Sequence, residues 1–136
     1  DAATEKRTQV RKLFQSTALL GPAVCFYLLS NLPPQASTAQ FLLGGATGLL
    51  AFDAAGFGAA TQEKAGAKWA GLLYSLTSLP AVIVGSVSVS VTGQLLDRMK
   101  DEDGGGWATV FQLNSVICVV GAVCFLFLYD SKKEFE

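Results

Sequence analysis

The sequence predicts an all-α integral membrane protein with four transmembrane helices, and three observations lead there. Hydrophobic residues make up 51% of the 136 before the 14 glycines are counted, so the apolar-plus-glycine share exceeds the ~45–50% of soluble domains. Every charged residue except Asp53 falls in one of four clusters, at 1–12, 63–68, 97–103 and 130–136. The runs between clusters are too long and too uniformly apolar to give a soluble amphipathic helix its wet face. Lipid is the solvent that suits them.

The first apolar run, 13–62, exceeds one crossing and is interrupted at 30–37, where Pro33 and Pro34 stand among Ser, Asn and Gln. Adjacent prolines favour extended backbone and a turn, so the run divides into spans at 13–29 and 39–60. The third span, 69–96, is long enough to require tilt or an interfacial first turn, and Pro80 is expected to bend it. Within it Val87-Ser88-Val89-Ser90-Val91 alternates with the period of a strand. A lone strand in lipid leaves its backbone groups unpaired, so small residues on a packed helix are the better account. The fourth span, 107–129, follows Gly104-Gly105-Gly106, which lacks the Lys-Ser/Thr and strand-to-helix setting of a phosphate-binding loop.

An even number of crossings puts both ends and the 61–68 loop on one side. That side holds Lys6, Arg7, Arg11, Lys12, Lys64, Lys68, Lys132 and Lys133, against Arg98 and Lys100 opposite. The bias makes it the cytoplasmic-equivalent side. Trp69, Trp107 and Tyr129 fall at span ends, where aromatic rings suit the headgroup layer.

Composition excludes much chemistry. With no histidine, imidazole metal sites, Ser-His-Asp and Cys-His nucleophile systems and histidine bases are all ruled out for the chain acting alone. Three cysteines without a CxxC pair supply neither a disulfide framework nor a thiolate metal site. A net charge of −1 without a long basic tract offers no footprint for nucleic acid. No nucleophile and base can be paired, so no enzyme and no metal site are expected.

Several polar residues inside or beside the spans remain as candidates. Asp53 lies about two turns inside the second span, where a carboxylate facing lipid costs on the order of 2.5–3.5 kcal/mol. It must face protein or water, either as a cation- or proton-coupling group or as an acid satisfied by neighbouring donors. Tyr74, Ser75 and Thr77 cluster within a turn ahead of Pro80, where a distorted helix frees carbonyls, and are pathway candidates. Arg11 and Lys12 before the first span, with Gln62 and Glu63 at the end of the second, are gating-loop candidates; as anchors, the basic pair also fits the positive-inside pattern. Gly44 and Gly48 form a GxxxG and Gly56 continues the small surface, which reads as helix packing.

In order along the chain, Val10-Arg11-Lys12-Leu13-Phe14-Gln15-Ser16, Leu20-Gly21-Pro22-Ala23, Gly44 with Ala46-Thr47-Gly48, Ala55-Gly56-Phe57, Lys68-Trp69-Ala70-Gly71, Leu79-Pro80, Val84-Gly85, Val91-Thr92-Gly93-Gln94-Leu95-Leu96-Asp97 and Trp107 with Val110-Phe111 resemble the last four helices of an anion transporter of the major facilitator superfamily. The resemblance is to the group of sodium-dependent and plastid phosphate transporters, sialin and vesicular glutamate transporters.

The resemblance implies that the chain is the C-terminal part of a larger carrier for phosphate or small organic anions, working by alternating access. Its partners would be lipid, the missing N-terminal half and a small anion substrate, with Na+ or H+ as coupling ion and no other cofactor. It implies further that 39–60 and 69–96 are helices ten and eleven, which contribute to the central pathway. Asp53 is not a usual feature of the group, and Gln62-Glu63-Lys64-Ala65-Gly66-Ala67 lacks its usual proline. A plasma, vesicular or plastid membrane fits equally. The first residue, Asp1, is not Met, which suits a piece of a longer polypeptide. The alternative is a self-contained four-span assembly protein whose GxxxG face mediates association and which transports nothing.

Overall fold

The computed structural model describes residues 2–31, 33–101 and 106–129, which form helices and their connections with no strand among them. Helix α1 spans Ala2–Ser30, α2 Ala36–Leu50, α3 Phe57–Arg98 and α4 Trp107–Leu128, and a 3₁₀ turn at Ala51–Ala54 stands between α2 and α3. Among the described residues four helical stretches are long and apolar enough to cross a membrane: Glu5–Ser30, Ala36–Glu63, Lys68–Arg98 and Trp107–Leu128.

Helix α1 is the centre of the packing, with α4 along one side and α2 along another. The contact is made of small residues. Ala18 and Ala23 of α1, Ala46 of α2 and Ala122 of α4 are all buried, together with Pro22. In a lipid environment hydrophobicity does not drive helices together, and close backbone approach over small side chains supplies the contact instead. Ser115 of α4 donates its hydroxyl to the Ala23 carbonyl at 2.8 Å, and the Phe26 and Phe111 rings stack at 6.3 Å between the same two helices.

The helix of the span expected at 39–60 is interrupted within it. Helix α2 stops at Leu50, the backbone tightens into the 3₁₀ turn, and α3 starts at Phe57 after a turn at Ala55 and Gly56. No proline marks this break. The side chains of α1 that back it, described below, explain why it forms there.

In α3 the non-helical backbone falls at Gly66, with φ 65° and ψ 174°, inside the loop expected at 61–68. Positive φ is open to glycine at little cost. Pro80, expected to bend the span, lies within helical backbone. The Val-Ser alternation is helical as expected, and Ser86 donates its hydroxyl to the Val82 carbonyl at 3.0 Å, satisfying itself within its own turn. Every residue from Leu79 to Val91 is exposed.

Candidate functional site

The site is built around the break between α2 and α3, and α1 supplies its back wall. Arg11 and Gln15 stand one helical turn apart, so their side chains share a face of α1; Ala18 and Pro22 continue that face into the core. Gln15 is only 5% exposed and spends both ends of its carboxamide on the break. Its Nε2 donates to Asp53 Oδ1 at 2.8 Å. Its Oε1 accepts the backbone N–H of Phe57, also at 2.8 Å.

Chemistry fixes that orientation, because a backbone N–H can only donate and must meet the oxygen, which turns the amide nitrogen toward the carboxylate. The first N–H groups of any helix lack an intrahelical acceptor. Gly56, which precedes α3, has no side chain to supply one, so the cap comes from Gln15 of another helix.

Gly56 is what allows this approach. A Cβ there would collide with Gln15 Oε1 and would lie 2.9 Å from the Gln15 backbone nitrogen and 3.0 Å from its Cα. One turn earlier Arg11 grips the other side of the break. Its Nη2 and Nε donate to the two Glu63 carboxylate oxygens at 2.6 and 3.3 Å, and Nη1 donates to the Ala55 carbonyl at 2.8 Å. The pair is half-buried, at 23% exposure for Arg11 and 26% for Glu63, and Phe14 stacks on Phe52 at 5.9 Å beside it. Three neighbouring side chains of one helix, Arg11, Phe14 and Gln15, thus pack against the interruption at residues 51–56.

On the far side of the break opens a cleft of about 560 Å³. Asp53, Gln62, Tyr74, Thr77 and Ser78 line it among apolar residues that include Phe57 and Ala81. Three of the four sequence candidates for a pathway, Asp53, Tyr74 and Thr77, therefore share one space. Ser75 does not line it; its hydroxyl donates to the Gly71 carbonyl at 2.9 Å on an exposed face. Thr77 and Ser78 donate to carbonyls of the preceding turn, which leaves hydroxyl lone pairs available as acceptors in the cleft.

The four gating-loop candidates separate. Arg11 and Glu63 form the ion pair, Gln62 faces the cleft, and Lys12 takes no part in the pair. Gly44 and Gly48 meet nothing within 4 Å of where a Cβ would stand, whereas Gly56 is in close contact. Among the described residues no group of His, Cys, Asp and Glu could hold a metal ion.

Gln15 and Ser78 were not singled out by sequence reasoning. For Gln15 a signal existed: an amide one turn beyond an arginine in an apolar helix needs partners, and Asp53 needs a donor. Ser78 follows Thr77 and carries no signal of its own.

Among curated proteins the chain is similar to transporters of plants. It is 32% identical over 129 residues to a probable chloroplastic anion transporter 4 of Oryza sativa subsp. japonica, a match covering 95% of this chain and 20% of that protein. It is 28% identical over 134 residues to a probable anion transporter 6 of the same plant, covering 95% of this chain and 31% of that protein. It is 30% identical over 116 residues to a chloroplastic ascorbate transporter of Arabidopsis thaliana, covering 85% of this chain and 20% of that protein. The chain thus spans between 20% and 31% of the length of these relatives. No protein-family model matches the sequence, and no solved structure matches it.

Proposed function

We propose that this chain forms the last four membrane spans of a major facilitator superfamily carrier that moves inorganic phosphate or a small organic anion by alternating access. The observation that carries the reading is the similarity, over 95% of the chain, to a protein named as an anion transporter. The arrangement around the break supports it: a helix interrupted part-way, with an acid and hydroxyls facing a cleft, is a form that coupling sites of secondary carriers take.

In this reading Asp53 is the coupling group for Na+ or H+, and Tyr74 and Thr77 line the path beside it. Arg11 and Glu63 act as a clasp between the start of α1 and the region where α3 kinks, closed in this conformation. The anion itself needs positive charge, and the cleft offers an acid, so its binding groups belong to the part of the carrier outside this chain. That part is also the partner for the exposed apolar length of α3. The basic residues near both ends of the chain put those ends on the cytoplasmic-equivalent side, and two of the relatives carry chloroplastic names, which favours a plastid membrane.

The test is uptake into proteoliposomes containing the intact polypeptide that carries this sequence. Phosphate and ascorbate are offered in turn under sodium and proton gradients. Saturable uptake of either, driven by one gradient, is expected. Asp53→Asn is expected to change the pH or sodium dependence of that uptake, and unaltered dependence at normal expression removes Asp53 from the coupling role. Absence of gradient-driven uptake of both anions by folded protein overturns the carrier reading for these substrates.

A further inference from the structure

We propose that Gln15 is the positioning residue for Asp53, and that through its carboxamide the state of the Asp53 carboxylate is transmitted to the first turn of α3. The role of Asp53 in transport rests on the function proposed above; the link between Gln15, Asp53 and Phe57 rests on geometry alone.

A side chain that must donate to a carboxylate and accept from a backbone N–H at the same moment has to carry both functions, and a primary amide does. Leucine offers neither. Glutamate offers two acceptors and can face Asp53 only by holding a proton between the two carboxyl groups. Gln15 is 5% exposed, with the two bonds of its amide both 2.8 Å long, and Gly56 packed against it prevents retreat.

With Asp53 ionised, the Nε2–H to Oδ1 bond is charge-assisted. Placing a proton or a cation on Oδ2 makes Oδ1 a neutral or partly neutralised acceptor, and the bond falls to about half its strength. The carboxamide then holds Phe57 less firmly, and the α3 cap loosens. The 3₁₀ turn at Ala51–Ala54 is the adjacent segment free to respond, since its hydrogen-bond geometry is poorer than that of the α-helices on either side. Among the described residues the charged and titratable groups around the break are Arg11 on α1, Glu63 and Tyr74 on α3, and Tyr129 after α4. Arg11 and Glu63 are paired with each other, and Gln15 donates to Asp53.

Two measurements on the intact polypeptide decide the point without requiring transport. The first is the infrared carboxylate stretching band that Asp53→Asn abolishes, compared between wild type and Gln15→Leu at one pH at which the band is present. The band should shift in Gln15→Leu, which deletes a hydrogen-bond donor to the carboxylate.

The second is hydrogen exchange of the peptide containing Phe57. Gln15→Leu should speed its exchange about tenfold, as expected for a lost cap bond. The pair Gln15→Glu with Asp53→Asn should restore protection. The new asparagine amide then donates to one oxygen of the carboxylate introduced at position 15, while the other oxygen accepts from Phe57. A band unshifted in Gln15→Leu, or a double variant no better protected than Gln15→Leu, overturns the proposal. The pH dependence of Asp53→Asn uptake judges the transport reading separately.

Discussion

At the scale of single residues the break is held by complementarity too tight to tolerate a methyl group in one place. A Cβ on Gly56 would press on the Gln15 backbone as well as its side chain, and backbone cannot swing aside. Gly56→Ala should therefore cost about 1–3 kcal/mol, the usual penalty of overpacking, and lower the thermal unfolding midpoint in detergent. Gly21→Ala is the informative comparison. The atom it would crowd is the tip of the Leu49 side chain, 2.6 Å from the added Cβ, which can rotate away, so the shift should be smaller. Equal shifts for the two would show that the contact of Gly56 with α1 is not the tight one.

Asp53 was visible in the sequence because a lone acid in an apolar run must find a donor. Its donor was not visible, because nothing in a linear string says which of the polar residues, here one 38 positions away, will face it.

At the scale of elements the clasp between α1 and α3 depends on the shape of guanidinium. Arg11 uses three nitrogens, two on Glu63 and one on the Ala55 carbonyl. Arg11→Lys keeps the charge and loses the fork. It should cost about 1 kcal/mol or more, since charge-assisted bidentate pairs are the strong members of their class. A double-mutant cycle of Arg11→Lys and Glu63→Gln in detergent measures the coupling, and additivity within experimental error would show the pair to be idle. Exchanging the two charges should recover only part of the loss, because an arginine placed at 63 does not inherit the position from which Arg11 meets Ala55.

The same contacts explain why the helix of the expected span at 39–60 is interrupted, although Ala36–Glu63 as a whole is long and apolar enough to cross a membrane. The segment has the composition of a continuous helix, and local propensity alone would make it one. The break instead follows from partners on α1 that satisfy a freed carbonyl and a freed N–H, a tertiary override of a weak local preference.

At the scale of the whole molecule, packing is uneven. Helices α1, α2 and α4 share buried small residues, whereas α3 past Gly66 has none of its residues from Leu79 to Val91 buried. Segments with few packed contacts open first. For the 136-residue chain in detergent micelles, amides between Leu79 and Val91 should exchange before those of the α1 face between Gln15 and Leu29, read by mass spectrometry. In the intact polypeptide this difference should shrink if the rest of the protein covers α3. Uniform protection in the isolated chain would mean that α3 needs no further partner.

The sequence alone determined that the chain is all-α, that its helices suit lipid, how many there are, and that Asp53 stands apart, because each of these is a matter of which residues lie in which run. Solvent preference and helical length are properties of local composition and can be read one segment at a time. Tertiary structure decided where the second span breaks, which of the polar candidates share a cleft, and that Gln15 joins Asp53 to the start of α3. Those outcomes depend on hydrogen-bonding groups far apart along the chain meeting at 2.8 Å, and such distances are set only when α1 packs against the break.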